Sequence, residues 1–282
     1  MPQGLRDIRR RIRSVESTRK ITQAMKMVAA AKLRRAQESA EASRPYAERI
    51  EDALRSVAAD ASAGRMPLLR ARPVQRIGYV VVTGDRGLSG PYNANVLRRL
   101  QQELAGGGGE ATFFAVGRKG RDYLRRRGHT LTKEYIGIGD YPRYTQAQAI
   151  GEDIVAAFTK GEVDEVRLVY AQFVTVMTQN PSVQVLLPLK PPEGKAARQY
   201  IYEPDAESVL DKLVPHYLYA LLYRSLLEAK ASEWGARMTA MDSATRNSED
   251  LIKGLVLRLN RLRQAAITNE IAEIVGGANA LQ

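Results

Sequence analysis

Near its beginning, the chain carries mainly apolar residues at spacings of three or four, the pattern of a helix that buries one narrow stripe. Polar residues, many of them charged, fill the positions between them. So narrow a stripe predicts pairing with a single partner helix rather than a place on a broad core. The stripe consists of Leu5, Ile8, Ile12, Val15, Thr18, Ile21, Met25 and Val28.

A second stripe with the same spacing lies near the other end of the chain. It consists of Ser248, Ile252, Leu255, Leu259, Leu262 and Ala266. No proline occurs between His216 and Val275, and Gly276-Gly277 is a typical stop signal. These residues predict a helix of about 60 residues and about 90 Å. Pro45 predicts a kink in the N-terminal helix.

The middle of the chain must lead the first helix away and bring the second one back, so we expect the two helices to be antiparallel. Small side chains on both favour a close approach: Ala24, Ala29 and Ala31 on the first, Ala236, Ala240, Ser243, Ala244 and Asn247 on the second. An ordinary helical hairpin that holds a domain together is the alternative. Trp234 is expected in a core, and three tyrosines are expected to pack on the central domain: Tyr217, Tyr219 and Tyr223.

Between the two helices the apolar pattern changes to that of strands alternating with helices. This order predicts a small parallel or mixed α/β sheet. The predicted strands are 77–82, 111–116, 166–174 and 183–187, and the predicted helices are 93–104, 118–127 and 146–158. The expected divisions are an N-terminal helix at 1–60, a central domain at 76–204 and a C-terminal helix at 206–282.

The sequence contains little material for catalysis. It has no cysteine and only two histidines, His129 and His216. The loop GDRGLSGPYN (residues 84–93) follows a strand but lacks the lysine and the glycine order of a phosphate-binding loop. Ser89 is not placed as in a nucleophile elbow. We therefore predict no catalytic, cofactor-binding or metal site.

The formal net charge of +12 indicates an acidic partner. Basic clusters at 9–11, 32–35 and 125–127 leave open a helical hairpin that grips RNA, although stacking aromatics are not interleaved with them. An enzyme that uses the α/β insert is a third possibility. No apolar run suits a signal peptide or a membrane span, so we expect a protein that is made and kept inside the cell.

Two long motifs at opposite ends carry a family resemblance. ITQAMKMVAAAKLRRAQ with SRPYA, and EWGARMTAMDSATRNSEDLI with LNRLRQAAITNEIAEIVGGANAL, resemble the signatures of the gamma subunit of the F-type ATP synthase. TGDRGLSGPYN agrees with that family, except that Pro91 stands where a second glycine is common. No inserted cysteine pair is present, so the resemblance implies a member without a thiol switch. The chain begins with the helix itself, which suggests a bacterial type.

The resemblance implies a fold and a role. The fold would be a long antiparallel coiled coil of the two terminal helices with a central Rossmann-like α/β domain. The role would be the central rotor shaft that couples proton or other ion flow to ATP synthesis or hydrolysis. Its partners would be three alpha and three beta subunits, the epsilon subunit and the c-ring, with one copy per complex, no nucleic acid and no cofactor.

The same resemblance implies a location and a set of contacts. The subunit would be non-catalytic and peripheral, at the cytoplasmic face of the bacterial inner (plasma) membrane. By their place in the motifs, six residues are candidates for contact with the ring of alpha and beta subunits: Lys20, Met25, Lys26, Arg263, Gln264 and Thr268.

Overall fold

The computed structural model describes residues 3–60, 66–107, 109–190, 202–203 and 205–280. The chain divides into two compact units. The first unit comprises residues 3–28 and 238–280 of the described chain, and the second comprises the described residues between 29 and 237. The division therefore falls inside both terminal helices and not at their ends.

The terminal helices lie within the ranges 1–60 and 206–282 expected for them. Helix α1 spans Gln3–Asp60 and helix α5 spans Ala206–Ala280. Helix α1 continues through Pro45, and α5 contains Pro215 and continues past Gly276-Gly277. The expected stop at the glycine pair is therefore wrong.

Solvent explains why the two prolines are tolerated. A proline deprives the carbonyl four residues earlier of its helical hydrogen bond. Those carbonyls belong to Glu41 and Asp211, and both residues are exposed. Water can therefore hydrogen-bond to both carbonyls, and each helix continues through its proline.

The second unit contains a five-stranded sheet within its described residues, in the order β3-β2-β1-β4-β5. Strands β1 to β4 are parallel, and β5 is antiparallel to β4. The mixed α/β prediction is thus confirmed. The strands are β1 (Arg76–Val82), β2 (Glu110–Val116), β3 (Leu131–Tyr135), β4 (Glu165–Phe173) and β5 (Gln179–Leu187). The connecting helices are α2 (Tyr92–Gly106), α3 (Arg118–Arg126) and α4 (Tyr144–Thr159).

Strand β3 was not predicted. Its sequence, LTKEY, has no apolar run, and its three central residues are exposed. It lies at the edge of the sheet and is held by backbone pairing with β2. Pairing of this kind leaves no signal in hydrophobic periodicity, because an edge strand need not bury its side chains.

The sheet separates two apolar layers. Alternate residues of β1 point to opposite faces, as the two-residue period of a strand requires. Ile77, Tyr79 and Val81 join the layer under α2, whereas Val80 and Val82 join the layer under α4 and α5. Both faces of β1 are buried, which explains its continuous apolar run.

The aromatic residues of α5 pack as predicted. Tyr219 is buried in the layer that α4 and α5 share, and Tyr217 and Tyr223 pack against it while partly buried. These contacts confirm that this part of α5 belongs to the α/β unit. Among the described residues, none of the helices has a stretch that is apolar enough, over a sufficient length, to span a bilayer.

Candidate functional site

The first unit is an antiparallel helix pair, as predicted. The hydroxyl oxygens of Thr22 and Thr245 are 2.8 Å apart, and Lys26 Nζ lies 2.5 Å from Asp242 Oδ1. The residue numbers of the two pairs add up to 267 and 268. Residue numbers therefore increase along one helix while they decrease along the other, so the two helices are antiparallel. Continued at this register, the pairing places Val15 opposite Ile252 and earlier residues of α1 opposite later ones of α5.

Burial in this unit follows a strict heptad, with inward side chains every third and fourth residue in turn. The same pattern holds on both helices. On α1 the inward residues are Leu5, Ile8, Ile12, Val15, Arg19, Thr22 and Lys26, and on α5 they are Met241, Thr245, Ser248, Ile252, Leu255 and Leu259. The predicted stripe of α5 is confirmed from Ser248 to Leu259, whereas Leu262 is 38% exposed.

One stretch of the seam between the helices is polar. We call it the polar layers: Arg19, Thr22 and Lys26 of α1 with Asp242, Thr245 and Ser248 of α5. Thr22 and Ser248 are buried, and the others are half-buried. The three hydroxyls donate to carbonyls of their own helices, and Arg19 Nε is buried without a hydrogen-bond partner among the described residues. Arg19 also lies 4.0 Å from Glu249, so the layers combine hydroxyl contacts with opposite charges.

Asp242 is the electrostatic centre of the polar layers. Its carboxylate accepts hydrogen bonds from Lys26 and from Arg246, one turn further along α5. The Lys26 hydrogen bond, followed by that of Arg246, holds the pKa of the Asp242 carboxyl below its usual range. The carboxylate is therefore charged at neutral pH and ties the two helices together.

The predicted stripe of α1 is wrong at Thr18, Ile21 and Val28, whereas Met25 is half-buried. Thr18 is exposed, and Ile21 and Val28 expose 57% and 52% of their surface. The inward residues lie one position later, in step with the heptad of the first three turns. In this segment the apolar residues lie on a face that is rotated by about 100° from the inward face. A prediction from apolar spacing therefore selects the wrong face.

The small residues are only partly placed as predicted. Ala29 is buried, and Ala240 and Ala244 are half-buried, whereas Ala236 is buried in the apolar layer under α2. The other four are exposed and do not contribute to a close helix approach: Ala24, Ala31, Ser243 and Asn247. The shift of the seam by one residue accounts for Ala24.

The candidate contact residues of α1 differ in their surroundings. Lys20 is exposed, Met25 is half-buried beside the seam, and Lys26 reaches across the seam to Asp242. The Lys26 side chain is still 41% exposed. It can therefore serve the helix pair and keep an accessible surface.

The candidates of α5 lie on its outer surface. Arg263, Gln264 and Thr268 are exposed, and the Thr268 hydroxyl donates to the Gln264 carbonyl at 3.0 Å. The same stretch of α5 displays apolar side chains that the sequence reasoning did not single out as surface. Ile267 and Ile271 expose 45% and 56% of their area. This exposed stretch carries both polar and apolar side chains.

In the second unit, the loop after β1 is held by side chains of its own chain. Asp85 accepts hydrogen bonds from the backbone N–H groups of Arg118, at 2.9 Å, and Gly137, at 3.2 Å. The Gly84 N–H donates to the Asn93 side chain at 2.9 Å. The loops that follow β1, β2 and β3 are thereby tied together, and Asp85 has a structural role.

Helix α5 places a carboxylate beside this loop. Glu233 is buried and pairs with Lys230 at 2.9 Å and Arg237 at 2.8 Å. A Cβ on Gly84 would lie only 2.9 Å from its Oε1. Ligands of open α/β sheets bind at the carboxyl ends of the strands. A phosphate there would meet a buried anion whose cations are already engaged.

Trp234 is buried, as predicted, but charged side chains lie next to its ring. Its ring lies between the Lys32 ammonium, at 4.6 Å, and the Arg237 guanidinium, at 4.4 Å. Lys32 also pairs with Asp140 at 2.5 Å. Trp234, Arg237 and Asp140 border a cleft of about 430 Å³ whose lining carries charges of both signs. Among the described residues, no group of three His, Asp or Glu side chains could hold a metal ion.

Comparison with known proteins identifies the family. A sequence model of the family described as ATP synthase matches residues 4–281. The chain is 53% identical to the ATP synthase gamma chain of Desulforamulus reducens over 280 residues, 98% of this chain and 99% of that one. It is 50% identical to that of Moorella thermoacetica over 279 residues, 99% of each chain.

Solved structures agree on the fold. A chain of the Euglena gracilis mitochondrial ATP synthase (OSCP/F1/c-ring, rotational state 3) matches with a TM-score of 0.72 and 19% identity, over 99% of this chain and 94% of that one. A chain of the Tetrahymena thermophila mitochondrial enzyme (central stalk/c-ring) matches with a TM-score of 0.62 and 24% identity, over 79% and 99%. This chain therefore belongs to the ATP synthase gamma-chain family.

Proposed function

We propose that this chain is the central rotor shaft of a bacterial ATP synthase. It couples ion flow through a membrane c-ring to ATP synthesis or hydrolysis in a ring of three alpha and three beta subunits. One copy turns in each complex, with the epsilon subunit bound, at the cytoplasmic face of the inner membrane. The observation that carries the proposal is the antiparallel helix pair of the first unit in a chain of this family.

A two-helix shaft suits rotation inside a ring. Helices in contact lie about 8–10 Å apart, so the pair is only about 20 Å across. Two antiparallel helices have no threefold symmetry. Three chemically equivalent sites around them therefore meet different side chains, and rotation exchanges those environments. The result is a coupling free energy between the shaft and distant sites.

We infer that the six candidate residues contribute to such contacts. Lys20 and the exposed part of Lys26 supply positive charge from α1. Arg263, Gln264 and Thr268 supply charge and hydrogen-bonding groups from α5. Positive groups favour acidic loops of the ring and speed their encounter.

The chain acts without catalysing the nucleotide reaction itself. The crevice where an α/β sheet binds its ligand carries the Glu233 carboxylate, paired with Lys230 and Arg237. The loop after β1 is engaged through Asp85 and Asn93. We accordingly assign nucleotide hydrolysis and synthesis to the surrounding ring.

An RNA-binding hairpin is the alternative from another class, and the comparisons give it no support. A salt titration distinguishes the two. Tight RNA binding that falls steeply as salt rises would favour the hairpin. We expect only weak binding without preference among RNAs.

Co-purification tests the proposal. A tagged chain expressed with alpha and beta subunits of its source should retain both, and the assembly should hydrolyse ATP. Arg263→Ala with Gln264→Ala should lower the ratio of ion pumping to hydrolysis in membranes. Lys253→Ala, on the exposed side of the same helix, serves as the control. Failure of the chain to retain either subunit would refute the proposal.

A further inference from the structure

The segment Thr18–Val28 of α1 carries two stripes that could face the partner helix. One is polar and consists of Arg19, Thr22 and Lys26. The other is apolar and consists of Ile21, Met25 and Val28. They are offset by one residue, which corresponds to a helix rotation of roughly 100°. The structure turns the polar stripe inward.

The observed rotation leaves apolar side chains exposed, and it is therefore unfavourable for the hydrophobic effect. Burial of apolar surface is the main favourable term in helix association. Ile21 and Val28 nevertheless remain more than half exposed, at 57% and 52%, while Thr22 is 8% exposed. Something must therefore outweigh the gain from turning the apolar stripe inward.

The contacts of the polar layers supply that preference. In the observed rotation, Lys26 reaches Asp242 at 2.5 Å and the Thr22 and Thr245 hydroxyls meet at 2.8 Å. A turn by one residue would carry both α1 side chains away from their partners. The Thr22 and Thr245 hydroxyls would keep their hydrogen bonds to the Arg19 and Met241 carbonyls of their own helices. The main cost is therefore the separation of Lys26 from the Asp242 carboxylate, which is only 22% exposed.

We propose that the polar layers are a rotational lock, which holds the segment Thr18–Val28 of α1 in the observed rotation and thereby keeps Ile21 and Val28 on the outer surface of the helix pair. Polar groups inside a coiled-coil seam are known to select one arrangement at the expense of stability. Here the arrangement selected is the rotation of one helix. The inference rests on the geometry of the first unit and does not depend on the proposed function.

The chain has no cysteine, so two disulfide reporters can be built without background. Thr22→Cys with Thr245→Cys reports the observed rotation, and Ile21→Cys with Thr245→Cys reports the rotated one. Both are made in the full-length chain and oxidised under identical mild conditions. We expect the first pair to cross-link at least about tenfold faster, because disulfides require close and aligned Cβ atoms. Equal rates would show that no lock exists.

The lock is then weakened at its charged position. Lys26→Met removes the charge and leaves an apolar side chain of similar length. In this background, the ratio of the two cross-linking rates should shift toward the Ile21→Cys pair by about fivefold or more, as expected for a population shift. Lys20→Met, an equivalent change at an exposed lysine, should leave the ratio unchanged. A ratio that Lys26→Met also leaves unchanged would overturn the proposal.

A second measurement guards against variants that fold poorly. A single Ile21→Cys should react quickly with a water-soluble maleimide in the otherwise native chain. With Lys26→Met added, it should react at least about threefold more slowly, because the residue turns inward. Faster reaction, together with lower helicity, would show that Lys26→Met melts the helix pair instead of turning α1, and this result would also overturn the lock.

Discussion

Tyr219 on α5 lies so close to Gly151 on α4 that only a residue without a Cβ fits at position 151. A Cβ on Gly151 would be 2.3 Å from Tyr219 Cδ1 and 2.5 Å from Cε1. Tyr219 is buried, so its ring cannot swing into solvent. This contact joins α5 to the layer of the α/β unit that also holds α4.

Gly151→Ala should therefore destabilise the chain, although alanine favours helices. We expect a loss of about 1–3 kcal/mol in the free energy of unfolding, which is typical of overpacking. Gly254→Ala is the matched control, because nothing lies within 4 Å of its added Cβ. It should gain up to about 1 kcal/mol from helix propensity. Urea unfolding followed by circular dichroism measures both, and equal midpoints would contradict the contact.

Gly117 should tolerate substitution even less. It has a φ of 93°, and a Cβ there would lie 2.2 Å from the Thr83 backbone oxygen. Neither the backbone conformation nor the space suits alanine. Gly117→Ala should cost about 2 kcal/mol or more. Gly87→Ala, with nothing within 4 Å, should leave the thermal midpoint nearly unchanged, and a similar drop in both variants would refute the argument.

Glu233 should be more important for stability than any exposed carboxylate. It is buried with Arg237, and each exposes 5% or less. Glu233→Gln keeps the shape but leaves the buried guanidinium without its counter-charge, which we expect to cost about 3–5 kcal/mol.

Glu38→Gln provides the comparison for Glu233→Gln, because Glu38 pairs with Arg34 in solvent. It should change stability by less than about 0.5 kcal/mol. Chemical denaturation of both variants measures the difference. Equal effects would mean that the buried pair contributes no more than the exposed one.

The Asp242 carboxylate should make the stability of the first unit depend on pH. The hydrogen bond from Lys26, followed by that from Arg246, lowers its pKa in the folded chain. A carboxyl with a lowered folded pKa stabilises the fold above its unfolded pKa of about 4, and this contribution disappears as the pH falls through the folded value. The helix pair should therefore weaken below about pH 4.

Two asparagine variants test this assignment. Asp242→Asn should be less stable at neutral pH and should lose less stability between pH 6 and pH 3. Asp250→Asn, at a carboxylate that is 74% exposed, should follow the native pH dependence. Thermal midpoints across this range measure the effect. A native pH dependence in Asp242→Asn would exclude Asp242 as its source.

Met25 provides a test of the proposed function in the assembled enzyme. It is half-buried beside the seam and next to Lys26. Met25→Lys adds a second cation there, which should change the contact with the ring and loosen coupling. ATP hydrolysis should continue while ion pumping per ATP falls by about twofold or more. Met177→Lys, at a residue 77% exposed in the second unit, should pump normally, and normal pumping by Met25→Lys would count against the assigned contact.

Apolar periodicity was enough to predict the two terminal helices and the alternating α/β middle, and the path of the chain between the helices predicted their antiparallel pairing. It succeeded where apolar residues form the contact, as from Leu5 to Val15 and from Ile252 to Leu259. It failed at β3, whose central residues face water, and at Gly276, where the local stop signal is overridden by the surrounding helix. The family motifs pointed to six candidate contacts, and these remain predictions.

The sequence by itself determined which segments become helices and strands, because that information lies in residue spacing. Only the tertiary structure decided which face of α1 turns inward after Val15 and what stands beside the loop after β1. Asp242 and Thr245 contact the polar face of α1. Glu233 lies beside Gly84, although α5 is far from this loop in the sequence. Both outcomes depend on partners far away in the chain, and the energy of such contacts has no counterpart in local periodicity.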